Sequence, residues 1–311
     1  MSETQTPLLS VVIPVKNGLP YIRETLESLW AQTFQDFEVL VVDDGSTDGT
    51  PEWVASLQCP RIRLLSSTQP GAIAARLTGY HAARGVLIAN LDADDVSLPG
   101  RFEAQVDFLS RNPSVVAVGT QVRFLVDGAE VRAFSYPTEP REVLEVTRSG
   151  RPAVCNPSVM LKTEAARAIV PRIVGPGADL DFYLRLASHG AIANLPDVLH
   201  LMRLHVHSMS FSRVAEQQCE IAFAVEADRA RRQGQPEPDF EAFQLAWNNR
   251  GPLAKLLTAL RVRHQRTFRR SVILRARRRH VAAFTCLAAA AALWPPAVAY
   301  QLRRKLAALL S

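Results

Sequence analysis

Two clusters of carboxylates stand where hydrophobic runs end. In VLVVDDGSTDGT, Asp43 and Asp44 close an apolar run and open onto a Gly-Ser-Thr loop. Carboxylates so placed can accept hydrogen bonds from a nucleobase N–H or from ribose hydroxyls, and glycine lets the backbone approach a ligand. The competing use is an Asx-turn or helix cap, the reading preferred for Asp48. In IANLDADDVSLP, Asp92, Asp94 and Asp95 follow a run too apolar to be exposed. Acids at i and i+2 on an extended loop can both turn toward one divalent cation, a hard ion that prefers oxygen ligands and retains water and phosphate oxygens. Clustered like charges repel unless something positive sits among them, so a solvated acidic turn is the weaker account. A nucleotide diphosphate with Mg²⁺ or Mn²⁺ supplies that partner, because the ion neutralises the pyrophosphate and makes it a better leaving group. No G-x-G-x-x-G follows a strand and no Walker-type P-loop occurs, which leaves dinucleotide and P-loop readings unsupported.

The elements that must hold these loops are legible from periodicity. The β-branched run Leu9 to Val15, ended by Pro14, Asn17 and Gly18, predicts a buried strand. Ile22, Leu26, Leu29 and Trp30 form one stripe of a helix over 21–32. A strand over 37–42, a helix over 51–57, a strand over 62–65, a helix over 71–83 and a strand over 86–91 complete a β-α-β-α-β-α-β order. Non-alternating strands joined through helices imply an α/β fold with a mostly parallel sheet covered on both faces. Ligands of such sheets bind at the carboxyl ends of the strands, where Lys16, Asn17, Asp43, Asp44 and Asp92 to Asp95 fall. The stretch 102–207 mixes strands near 115–124 and 158–161 with helices, one over 181–188 that Asp181 could cap, and suits an acceptor half. From about Arg213 the periodicity is helical.

LSVVIPVKNGLPYIRETLESLWAQTFQDFEVLVVDDGSTDGT and PGAIAARLTGYHAARGVLIANLDADD resemble the nucleotide-binding half of inverting family 2 glycosyltransferases of GT-A fold, over about Leu9 to Ser212. The resemblance implies a GT-A domain over 1–212, its nucleotide half about 9–100 and acceptor half about 101–212, followed by a basic helical region over 213–311. It implies that Asp44 reads the base, Asp92 the ribose, and Asp94 holds the metal as the carboxylate of the D-x-D motif. Pro14, Val15, Asn17, Asp43 and Ala93 are placed beside the nucleotide. Arg76 takes the position that approaches the pyrophosphate, its alternative being a solvent-facing helix residue. In PGADLDFYLRLASHG, Asp179 matches the acid that removes the acceptor's proton, a role that burial would assist by raising its pKa. In LHLMRLHVHSMS, His205 matches a histidine of the metal shell, with Mn²⁺ or Mg²⁺ as cofactor. The chain departs from the pattern at Lys16, where an aromatic commonly stacks on the base, at Ala178, where a Glu precedes the catalytic acid, and at Leu77.

The implied activity is transfer of a sugar from a UDP- or related nucleotide donor, with inversion, to a saccharide or lipid-linked acceptor of cell-surface polysaccharide or glycoconjugate synthesis. The alternatives are a nucleotide-sugar pyrophosphorylase, poorly served by the loop PVKNGLP, and a catalytically weak nucleotide-sugar-binding protein.

Charge is consistent with that outline. Of 36 Lys and Arg, 14 lie from Arg250 onward, where no Asp or Glu occurs, so the first 249 residues carry about −8 of a total of +6. An acidic body argues against a nucleic-acid groove, and a basic tail for an electrostatic anchor. The segment Val281 to Tyr300 lacks charge, but nine alanines and Pro295-Pro296 make it a poor membrane span. Helices lying on an anionic cytoplasmic leaflet, or a lid packed on the body, are the expected alternatives. The first residues lack a signal-peptide pattern and the four scattered cysteines form no C-x-x-C pair, so a cytoplasmic, reduced protein is expected.

Overall fold

Strand β1 (Leu9–Val15) is buried along its whole length and forms the axis of the sheet. The computed structural model describes residues 6–19, 21–133, 135–204 and 213–293. β1 pairs in parallel with β2 (Phe37–Asp43) on one side and β4 (Leu87–Asn90) on the other, and β3 (Ile62–Ser66) extends the parallel set beyond β2. Helices α1 (Tyr21–Trp30), α2 (Thr50–Ser56) and α3 (Ala72–Ala82) make the crossovers, each within a few residues of the span that periodicity predicts.

The second half of the chain continues the same sheet. Its remaining strands are β5 (Val96–Ser97), β6 (Val115–Val126), β7 (Ala129–Arg132), β8 (Met160–Lys162) and β9 (Ala191–Arg203), giving the order β3-β2-β1-β4-β8-β6-β9-β5 with β7 paired to β6. β8 runs antiparallel to β4 and β6, which leaves β6 and β9 parallel to the first four strands. The sheet is therefore mostly parallel, as its apolar strands require.

Alternate residues of β1 feed two cores. Val11, Ile13 and Val15 pack with Ile22, Leu26 and Leu29 of α1 and with Phe102 and Leu109 of α4 (Arg101–Arg111). Val12, with Leu40 and Ile88, meets α3, α5 (Pro140–Arg148), α6 (Thr163–Arg167) and α7 (Ala178–Leu186) on the other face. Gly79 lets α3 come close, since a Cβ there would lie 2.3 Å from Val12 Cγ1. Helices α8 (Val214–Arg232), α9 (Phe240–Asn248), α10 (Pro252–Ala276) and α11 (His280–Leu293) follow, in line with the helical periodicity. Among the described residues no helix is long and apolar enough to cross a membrane. Residues 294–311, with Trp294, Tyr300 and the last basic cluster, lie outside them.

Candidate active site

The in-register pairing of Val15 with Asp43 brings the loops after β1 and β2 side by side. Asn17, in the left-handed region at φ 54°, staples them: its N–H donates to Ser46 Oγ and its Oδ1 accepts from the Thr47 N–H, both at 2.8 Å. The buried Pro14 and Val15 precede it, and the Val15 carbonyl accepts the Asp44 N–H at 2.8 Å.

The two adjacent aspartates part company. Asp43 accepts the Gly45 and Ser46 N–H groups at 3.1 and 3.2 Å, so it builds the turn. Asp44 reaches across to the Gly71 N–H at 2.8 Å, tying the β2 tip to the start of α3, with Lys16 Nζ at 3.9 Å. Asp48 accepts from Leu19 and Thr50, so it makes the Asx-turn rather than the cap, which falls to Gly49.

The Asp92–Asp95 loop leaves β4 at the same edge, and its backbone is held from three sides. Thr25 Oγ1 lies 2.9 Å from both the Ala93 and Asp95 carbonyls. Arg203 Nε donates to the Asp94 carbonyl at 2.7 Å. The Asp95 carboxylate is buried, accepting the Arg203 N–H and sharing a hydrogen bond with His200 Nε2, both at 2.8 Å. Burial pushes Asp95 well above and His200 well below their ordinary pKa values, so the pair is a structural seat for the loop.

Oxygens of Asp92, Asp94 and Asp95 lie within 4.8 Å of one another. An all-oxygen set of this kind fits a hard divalent cation; since Asp95 is taken by His200 and Arg203, Asp94 with Asp92 is the part of it that suits a metal shared with phosphate. Burial raises Asp92 to about 6, with Arg76 opposing and Asp94 adding to the rise.

The positive group that such a cluster demands comes from α3. Arg76 Nη2 donates to Asp92 at 2.6 Å, and Nη1 stands 3.8 Å from Asp179 Oδ1. Its side chain is only 8% exposed, which excludes the solvent-facing alternative. Burial works against the guanidinium's charge, but Asp92 and Asp179 outweigh it and keep the group cationic. Among the described residues its Nε is buried without a hydrogen-bond partner.

Asp179 approaches from the other half of the sheet. It sits in the first turn of α7 and accepts from Asn156 Nδ2 at 3.1 Å. Asn156 Oδ1 in turn accepts from Tyr183 Oη at 2.6 Å and Asn90 Nδ2 at 3.0 Å, and Tyr80 Oη donates to Asn90 Oδ1 at 2.8 Å. This chain ties β4, α3, α7 and the turn at Asn156–Ser158 into one polar network under the site. Partial desolvation within the site raises the Asp179 pKa from its ordinary value, opposed by Arg76.

Asp181 does not cap its helix. α7 begins at Ala178, and Asp181 is fully buried inside the first turn, accepting the Arg172 N–H at 2.8 Å and pairing with Arg185 at 2.9 Å. His205, the expected distant metal ligand, lies outside the described residues. The structure thus brings Asp92, Asp94, Arg76 and Asp179 together, and holds Asp43, Asp44 and Asn17 in the adjoining loops. Sequence reasoning missed Asn90, Asn156, Tyr183 and His200. Polar residues closing or interrupting apolar runs, as in VLIAN and VLHLM, were the available signal.

Comparison with known proteins accords with this geometry. The profile described as "Glycosyl transferase family 2" matches residues 10–168. The chain belongs to glycosyl transferase family 2. A putative glycosyltransferase, EpsE, of Bacillus subtilis (strain 168) is 30% identical over 210 residues, 63% of this chain and 73% of that protein. An uncharacterized glycosyltransferase of Haemophilus influenzae is 27% identical over 220 residues, 66% of this chain and 68% of its own, whereas the match spans 33% of a Rickettsia felis relative. The S. aureus TarS 1-349 structure with UDP-GlcNAc superposes with a TM-score of 0.58 at 18% identity, covering 90% of each chain. The Pyrobaculum calidifontis mannosyltransferase PcManGT, in complex with GDP-Man and Mn²⁺, gives 0.55 at 23% identity over 99% of this chain and 82% of that one. The family 2 domain of this chain therefore has a GT-A type fold.

Proposed function

We propose that this family 2 glycosyltransferase transfers a sugar from a UDP- or GDP-type donor to a hydroxyl of a saccharide or lipid-linked acceptor, with inversion, in cell-surface polysaccharide synthesis. The observation that carries it is Arg76 between Asp92 and Asp179, which puts a cation where a diphosphate would lie and a carboxylate with a raised pKa beside it. Structural neighbours bound to UDP-GlcNAc, UDP and GDP-Man support a nucleotide-sugar donor. Relatives named chondroitin synthase and succinoglycan biosynthesis protein ExoO support the polysaccharide role.

In this reading 1–212 is the catalytic domain and 213–311 a basic helical region. Pro14, Val15, Asn17, Asp43, Asp44 and Ala93 frame the nucleotide, and Asp92 meets its ribose. Asp94, helped by His205, would hold Mn²⁺ or Mg²⁺, which supplies charge neutralisation at the leaving diphosphate. The acceptor oxygen attacks the anomeric carbon as the bond to the diphosphate oxygen breaks, and the electron pair leaves with the nucleotide. Asp179 takes the acceptor's proton, and Arg76 faces the departing charge.

The decisive assay is a panel of UDP- and GDP-sugars, scored for binding and turnover with Mn²⁺, Mg²⁺ or EDTA. Asp179→Asn is expected to keep donor binding and lose transfer. Undiminished transfer would remove the base from the scheme.

A second reading concerns the tail. α10 and α11 expose Leu253, Leu256, Leu257, Val281, Phe284 and Leu287 in a stretch that carries Lys and Arg but no acid. Apolar and cationic groups displayed together suit the interface of an anionic leaflet, and support a peripheral position on the cytoplasmic face.

A further inference from the structure

The loop in front of Asp179 is gripped by a helix from the C-terminal region. Glu220 of α8 is 4% exposed, and its carboxylate accepts the Gly177 N–H at 2.5 Å. Nearly one turn earlier, Gln217 Nε2 donates to the Pro176 carbonyl at 2.9 Å. These are the last two residues before α7, whose first turn carries Asp179. A carboxylate at that end is also favoured by the helix's own dipole.

The glycines make the grip possible. A Cβ on Gly175 would lie 1.8 Å from Glu220 Oε1, and one on Gly177 would lie 2.6 Å from Glu220 Cβ. Behind the loop, Ala178 packs with Phe223 and Ala227, and Leu180 and Leu184 with Ala224. Close-packed contacts of this kind leave α7 little room to slide on α8. Ala178, standing where the family pattern has Glu, is 1% exposed and offers no polar side chain of its own.

We propose that Glu220 is a positioning residue for catalysis: by holding the Gly177 N–H it sets the start of α7, and with it the place of Asp179 relative to Arg76 and the acceptor. The region after residue 212 is then part of the catalytic apparatus. The inference rests on Asp179 being the base.

The test uses the full chain and four variants, E220A, E220Q, G175A and D179N, each checked for folding by thermal melting. UDP with MnCl₂ is the binding probe, and turnover is followed with the donor selected by the panel. E220A and G175A are expected to bind UDP within about twofold of wild type yet lose about tenfold or more in kcat, since a misplacement on the order of 1 Å can cost 10²-fold. E220Q keeps an oxygen that can accept the Gly177 N–H, and so restores most of the loss. Wild-type kcat in folded E220A, or a loss of UDP binding equal to the loss of turnover, overturns the proposal. If E220A does not fold, G175A decides on the same two criteria. D179N that retains transfer sinks the base assignment itself, and is read independently of the Glu220 variants.

Discussion

Replacing Arg76 with Met removes the cation while keeping most of the buried stem, so its consequences follow from charge. An exposed pair contributes about 0.2–1 kcal/mol, whereas breaking a buried pair costs about 3–5 kcal/mol. Arg76 is 8% exposed and Asp92 41%, so water screens one side of the contact and a loss of about 2 kcal/mol lies between those limits. With an unfolding entropy of about 2 cal/mol/K per residue, a chain of this length should melt about 3 °C lower. The two ligands should respond in opposite senses. Without its internal counter-charge the Asp92–Asp94 pair should bind Mn²⁺ about tenfold more tightly, a change of about 1.4 kcal/mol. UDP loses a charge-assisted contact of about 1.5–3 kcal/mol and should bind about 10- to 100-fold more weakly. Scanning fluorimetry and calorimetry with MnCl₂ and with UDP measure all three quantities. A Met variant that melts with the wild type and gains nothing in Mn²⁺ affinity would refute the assignment of Arg76 as the cation of the cluster.

Three further outcomes are expected. The raised pKa of Asp179 means that kcat should climb with pH as this carboxyl deprotonates above 3.8, and a kcat of the wild type that does not change with pH on the acid side would count against the base; the same rise means its contribution to stability is full below 3.8 and fades as pH passes its folded value. His200→Ala should cost about 2–4 kcal/mol, because it opens a hole beside β9 and deprives the buried Asp95 of one of two partners; a melting temperature within 1 °C of wild type, on the order of the error of the measurement, would count against the seat proposed for the loop. Sedimentation with anionic vesicles should capture the chain at low salt and release it as salt rises, each interfacial Lys or Arg contributing about 1 kcal/mol; failure to co-sediment at low salt removes the membrane reading.

Much of the first four strands and the loops after them was legible along the chain because their signals are local. Short β-branched runs such as LSVVIPV and FEVLVVD, bounded by turn residues, read as buried strands of a parallel sheet, and a strand that ends in Asp43 or just before Asp92 delivers its carboxylates to the rim of the sheet. The order of strands and helices, the acidic cluster, its need for a positive partner and the helical character beyond Arg213 all follow from spacing of this kind. Tertiary structure alone decided which cation answers the cluster, since Arg76 and Asp179 meet only because β8 enters antiparallel beside β4 and carries the second half of the chain onto the same edge. It also decided that Asp95 is a seat, that Asp181 is an interior ion pair and that Glu220 of a C-terminal helix holds the loop before Asp179. Periodicity assigns each residue to a face of its own element; which faces then meet depends on packing between segments far apart in the chain, and single-residue spacing carries no trace of it.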